Sequence, residues 1–326
     1  MAHILKKVDG KECRGSKLNI GQRTLKREVE CIGIGLHSGR EVSIKIRPAP
    51  CNFGICFVRE DIDPSFYIKA DFKNVIDTKL STTIGSNGCR VGTIEHLMAA
   101  FYGLGIDNAT VYVNGPELPA MDGSSAPYVL MLKEAGIKEQ EEPKRFIVIK
   151  KGIKAKDGDR SVEIRPCKEL RILYEIEFDH PLIRRQRLEF CFSGNDFIQE
   201  ISRARTFGFL SEVEEMWRNG LARGGSLDNA VVIDEFRILN EDGLRYRDEF
   251  VRHKILDFIG DLALIGAPII GRFIVKKSGH YLNHLMLKRL MNNRRCWKYL
   301  ELNNLKETKR GIAEIPSIGK LEPFYI

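Results

Sequence analysis

The run EFVRHKILDFIGDLALIG, residues 249–266, decides how the rest of the chain is read. Its apolar residues recur at helical spacing, which predicts a helix over 249–264. His253 and Asp257 are four residues apart, so their side chains lie one above the other on a single face. An imidazole and a carboxylate so placed can take two positions on one metal ion, a donor mix that suits zinc or ferrous iron. A surface ion pair along a helix explains the same spacing. Asp261 is four residues further along that face, where it orients a histidine or is simply a surface charge. Lys254 points about a quarter-turn away and reaches either an anion or solvent. A second histidine beside a carboxylate, Glu95-His96 in GTIEHLMAA (92–100), is the natural third ligand. Three protein ligands leave one coordination position open, as a hydrolytic site requires.

Composition narrows the class without naming the chemistry. The 326 residues are 43% hydrophobic and 29% charged, the balance of a globular chain of two domains or one large one. The longest uncharged apolar run, 262–271, is too short to span a bilayer and contains Pro268. The mixed polar opening MAHILKKVDGKECRGSK carries no signal-peptide pattern. Eight scattered cysteines without a C-x-x-C pair are expected to be reduced thiols in a cytoplasmic protein. The net charge of +8 raises the question of polyanions, with basic clusters at Arg184, Arg185 and Arg187, at Lys288-Arg289 and at Arg294-Arg295. No aromatic residues interleave them and no nucleic-acid motif appears, so nucleic acid is not expected as a partner. A solvated basic face, an anionic small substrate and a weak pull toward an anionic membrane surface all fit that charge.

Strand and helix signals alternate in two blocks. The first holds strands over 40–47 and 109–114, a helix over 93–102 capped by Thr93 and ended by Gly103, and a helix over 125–134 stopped by Gly136. The polar, charged, proline-containing segment 138–145 is expected to be an interdomain linker. The second block holds strands over 145–150, 161–165, 170–178 and 271–276. Its helices fall near 196–201, 210–218 and 249–264. Two glycine-bounded turns, 121–124 and 33–39, have functional and structural readings alike. His280 closes the last strand and is equally a catalyst or a satisfied structural histidine.

Eight strings taken together resemble one family: GIGLHSG (33–39), GTIEHLMAA (92–100), GLGIDN (103–108), MDGSSAPYV (121–129), SRARTFGF (202–209), GLARGGSLDNAVV (220–232), NEDGLRYRDEFVRHKILDFIGDL (240–262) and KSGHYLNH (277–284). The chain resembles the UDP-3-O-acyl-N-acetylglucosamine deacetylases of lipid A biosynthesis in Gram-negative bacteria, from about residue 22 to near Trp297. The resemblance implies a zinc hydrolase, with ferrous iron as the alternative in the cell, that releases acetate from UDP-3-O-acyl-GlcNAc. It implies His96, His253 and Asp257 as metal ligands, Glu95 as general base and His280 as general acid or electrostatic partner across the site. Thr206 would hold the oxyanion, Lys254 and Asp261 would flank the metal, and Asp261 would orient His280. Phe178, Lys277 and Phe207 would contact the substrate.

The implied fold is α+β: two similar domains, each a β-sheet layered with helices, packed helix layer to helix layer. The expected division is an N-terminal extension over 1–21, domains over 22–142 and 143–300, and a tail over 301–326. Within the second domain, 208–232 would form an acyl passage. A cytoplasmic monomer is expected, peripheral to the inner membrane at most. A different amidohydrolase on the same scaffold would keep the metal ligands and lose the nucleotide contacts. A basic non-enzymatic binding module would hold no metal at near-unit stoichiometry.

Overall fold

The alternation near 40–47 forms a strand, Glu41–Pro48, with Val42, Ile44 and Ile46 turned inward, as a period of two requires. The computed structural model describes residues 21–301. The expected extension and tail therefore lie outside the described residues, apart from Gly21 and Glu301, each of which belongs to a strand.

Glu41–Pro48 sits in a five-stranded sheet ordered Val29–Ile34, Glu41–Pro48, Ala109–Val113, Ile55–Arg59, Tyr67–Lys69. Its central strand, Ala109–Val113, runs antiparallel to Glu41–Pro48 and parallel to Ile55–Arg59. The second half repeats this plan. Ile269–Lys276 is central, antiparallel to Arg160–Arg165 and parallel to Leu170–Glu177, with Ile153–Asp157 and Arg185–Cys191 outside them. Arg145–Ile149 and Trp297–Glu301 extend this second sheet to seven strands. The chain is thus two α+β units of one topology, each built from two hairpins, a helix, the central strand and a closing helix.

The helices are α1 (Glu95–Leu104), α2 (Ala126–Ala135), α3 (Gly194–Asp196, running into a π-helical turn at Phe197–Ile201), α4 (Leu210–Arg218), α5 (Glu249–Ala263) and α6 (His280–Asn292). α1 and α5 hold equivalent places in the two units and pack directly on each other, joining helix layer to helix layer. Gly260 permits this approach, because a Cβ there would stand 2.1 Å from the Glu95 carbonyl oxygen. Gly260→Ala should therefore force α1 away from α5. The expected cost is at least about 2 kcal/mol, the scale of overpacking in a dense core. A thermal melt checks it, and an unchanged midpoint would mean that the helices part without cost.

Several sequence expectations are corrected. α1 begins at Glu95, and Thr93 is not its cap: Thr93 has φ +53° and its hydroxyl donates to Glu117. Gly105 ends the helix in the left-handed conformation, whereas Gly103 lies inside it, where the Phe197 ring leaves no room for a side chain. The expected linker is a strand, Ile137–Pro143, antiparallel to Gly21–Leu25. Most of its side chains face water, so its composition reads as loop. Six cysteines are free (31, 51, 56, 89, 167 and 296), but Cys191 is disulfide-bonded, a pairing that spacing along the chain does not reveal. No helix among the described residues is long and apolar enough to cross a membrane.

Candidate metal centre and active site

α5 is buried on nearly every side, from Glu249 through Leu262, so each polar residue on it must find a partner inside the protein. His253 and Asp257 project from it toward His96 in the first turn of α1. The Nε2 atoms of His253 and His96 lie 3.3 and 3.6 Å from Asp257 Oδ1, and the three candidate ligand atoms all lie within 4.8 Å of one another. A tetrahedral ion with bonds near 2.05 Å has ligand–ligand edges of about 3.3 Å, so the spacing fits. Asp257 Oδ1 is buried without a hydrogen-bond partner, an orphan that a cation would satisfy. His253 Nδ1 lies 3.0 Å from the Ala204 carbonyl, which fixes the tautomer and leaves the Nε2 lone pair facing inward. Burial drives the His253 pKa down to about 3, favouring the uncharged ring that metal ligation would require. Burial alone would raise Asp257, but His253 and Lys254 hold it well below the usual carboxylate range. Lys254 Nζ donates to Asp257 Oδ2 at 2.9 Å.

Glu95 enters beside His96. Its Oε2 accepts from the Thr82 backbone N–H at 3.1 Å, and its Oε1 lies 3.9 Å from His280 Nε2. Burial raises the Glu95 carboxyl above its ordinary value, against the pull of His280. His280 begins α6, at the end of the second central strand, with Nδ1 2.9 Å from Asp261 Oδ2. Burial disfavours charge on the ring, yet Asp261 overcomes it and the pKa rises to about 9. Asp261 also accepts from Thr82 Oγ1 and Asn283 Nδ2, at 2.6 and 2.7 Å. Ser278 Oγ in turn donates to the Asn283 side-chain oxygen at 2.6 Å.

A cavity of about 360 Å³ opens over these groups, lined among others by Glu95, His96, Asp257, His280, Thr206, Phe207 and Lys254. The structure therefore gathers most of the residues singled out in the sequence. His253 lies just beneath the lining, its Nε2 beside Asp257 Oδ1, and Asp261 stands behind His280 as a support. Phe178 does not line the cavity; it packs behind, its ring 5.8 Å from that of Phe207. Lys277 is near the surface, paired with Asp159 at 2.9 Å and with Glu177. Sequence reading missed Thr82, Asn283 and Ser278, whose residue types carry no signal apart from their partners. It also missed Glu117, a buried carboxylate that accepts from the backbone N–H of His37 and Ser38 and so ties the GLHSG turn to the cavity rim.

The family profile for UDP-3-O-acyl N-acetylglycosamine deacetylase matches residues 22–292. The chain is 52% identical over 284 residues to the UDP-3-O-acyl-N-acetylglucosamine deacetylase of Acidithiobacillus ferrooxidans, covering 86% of this chain and 93% of the relative. The enzyme of that name from Myxococcus xanthus is 51% identical over 301 residues, 92% of this chain and 96% of the relative. The one from Mannheimia succiniciproducens is 47% identical over 301 residues, 91% and 98% of the two chains. A buried two-histidine, one-carboxylate set beside a raised carboxylate and a charged histidine, within a match of that extent, leads to one conclusion: the chain belongs to the UDP-3-O-acyl N-acetylglycosamine deacetylase family.

Proposed function

We propose that this protein is a zinc-dependent amidohydrolase that removes the acetyl group from UDP-3-O-acyl-N-acetylglucosamine, the committed step of lipid A biosynthesis, with ferrous iron the alternative ion. The observation that carries the reading is the orphaned Asp257 Oδ1 facing two histidine Nε2 atoms at the floor of one cavity with Glu95 and His280. His96, His253 and Asp257 would hold the ion, which would supply Lewis acidity and lower the pKa of a water toward neutrality. Glu95 takes a proton from the attacking water, and burial, by raising its pKa above the ordinary carboxylate value, makes it a stronger base for that step. The water oxygen bonds to the acetamide carbon, and the Thr206 hydroxyl, on the cavity wall, stabilises the negative oxygen that develops. His280, charged and backed by Asp261, protonates the departing amine as the C–N bond breaks, leaving acetate and an amino sugar. Lys254 keeps the charge of Asp257 in place.

Lys277 contacts the nucleotide end of the substrate, Phe207 meets the substrate from the cavity wall, and Phe178, the other candidate nucleotide contact, packs behind Phe207. The acyl chain runs along 208–232, a reading supported by α4: none of its residues is buried, and Met216 reaches the cavity wall. The two units correspond to domains over 22–142 and 143–300. The protein works as a cytoplasmic monomer, peripheral to the inner membrane at most. The test is acetate release from UDP-3-O-acyl-GlcNAc with and without a chelator, alongside Glu95→Ala. That variant should keep its metal and lose at least about 100-fold in turnover. Turnover indifferent to the chelator, or a metal-free Glu95→Ala, would overturn the assignment.

A further inference from the structure

Thr82 lies in LSTTIG (80–85), a stretch with no chemical signature, yet its backbone N–H and its hydroxyl both point into the candidate catalytic cluster. The residue is buried at 2% exposure. Its backbone N–H donates to Glu95 Oε2 at 3.1 Å, and its carbonyl accepts from Ile94 N, just ahead of α1, at 3.4 Å. Its hydroxyl donates to Asp261 Oδ1 at 2.6 Å and lies 3.2 Å from His280 Nδ1. A hydroxyl has one hydrogen, and the short bond to Asp261 uses it. The oxygen that faces His280 is therefore an acceptor, and the Nδ1 proton is shared between Asp261 Oδ2 and Thr82 Oγ1. That sharing turns Nε2 toward Glu95. The Thr82 N–H meanwhile ties down Oε2 of Glu95 and leaves Oε1 as the oxygen facing Nε2, at 3.9 Å.

We infer that Thr82 is a positioning residue that couples the general base to the general acid: its backbone N–H sets which oxygen of Glu95, and its hydroxyl which nitrogen of His280, faces the substrate. The inference rests on the roles proposed above for Glu95 and His280. It also accounts for the link between units: Glu95 rides on α1 of the first, while Asp261 and His280 sit on α5 and α6 of the second. Thr82, just before the strand Thr83–Ser86, is the residue of the first unit that binds both.

Thr82→Val keeps the shape and the backbone N–H and removes only the hydroxyl, while Thr82→Ser restores it. Both should bind metal as the unaltered protein does and melt cooperatively. Thr82→Val should lose roughly tenfold to a hundredfold in kcat, the scale of a misplaced or unsupported catalytic group. KM should stay within about twofold, because substrate contacts are untouched. The alkaline limb of the pH–rate profile should move by at least about half a unit: the groups facing His280 are Asp261 and Asp257 from α5 and Glu95 from α1, and the missing hydroxyl braces Asp261 and lies against the ring itself. Thr82→Ser should recover most of the rate and the original limb. Wild-type kcat with an unmoved limb in Thr82→Val would overturn the inference, as would a serine variant no better than valine, which would make shape the cause. Glu95→Ala and His280→Gln serve as controls. If they lose turnover while Thr82→Val keeps it, the coupling role alone fails. If they keep it, the base–acid pair itself fails and the coupling falls with it.

Discussion

His253→Ala and Asp257→Ala should each leave the protein without bound metal and reduce deacetylation by at least about a thousandfold, about 4 kcal/mol in the barrier. The size follows from the ligand count. Three protein atoms make up the candidate set, and removing one leaves two, too few to hold an ion through dialysis. The two variants should nevertheless differ in stability. Loss of the imidazole frees the Ala204 carbonyl and opens a hole, but leaves no charge stranded. Loss of the carboxylate strips Lys254 of the acceptor that holds its pKa up against burial. Asp257→Ala should therefore melt lower than His253→Ala, by the cost of an unpaired, partly buried cation. Metal by mass spectrometry after dialysis, set against acetate release, decides the matter. Near-stoichiometric metal in both variants would show that the ligands are others.

The helical reading of 249–264 held because α5 is long, apolar at the right period and free of interruptions, so local pattern and tertiary demand agree. The same agreement made the central strands near 109–114 and 271–276 legible. Strands Val29–Ile34, Ile153–Asp157 and Arg185–Cys191 escaped because they lie at or next to sheet edges, with exposed or half-exposed side chains that dilute the alternation. Ile137–Pro143 failed for the same reason and was read as linker. The metal ligands were visible as types at a spacing. Their convergence was not, because α1 and α5 approach closely over Gly260, where a Cβ would stand 2.1 Å from the Glu95 carbonyl oxygen, and a glycine in the sequence does not announce such an approach. Thr82 and Asn283 lay beyond sequence reading altogether: a threonine and an asparagine acquire meaning only from Asp261 between them.

His280→Gln should keep the metal, lower turnover by roughly a hundredfold and remove the alkaline limb of the pH–rate profile. On the proposed mechanism the unaltered enzyme needs Glu95 without its proton and His280 with one, so its rate should be bell-shaped, with the alkaline limb belonging to the imidazolium. That limb should lie above the unperturbed histidine value of about 6.5, because Asp261 raises His280 to about 9 against burial. A cation at the neighbouring ligand set would oppose the charge and draw the limb downward. The same shift has a consequence for folding. A group whose pKa rises on folding stabilises the native state fully below its unfolded value, and that contribution is lost as pH rises through its folded value. The His280–Asp261 pair should accordingly stabilise the protein fully below about pH 6.5, and that contribution should fade as pH rises toward about 9. Glutamine retains a hydrogen bond to Asp261 but cannot titrate, so the pH dependence of both turnover and melting temperature over that interval should flatten together. The rate and the melt read the same ring by independent routes. A variant that keeps the full rate and an unchanged bell would remove His280 from the chemistry. One that loses the rate but keeps the alkaline limb would assign the limb to another group, with Lys254 the next to examine, since its pKa too is held up by a buried carboxylate.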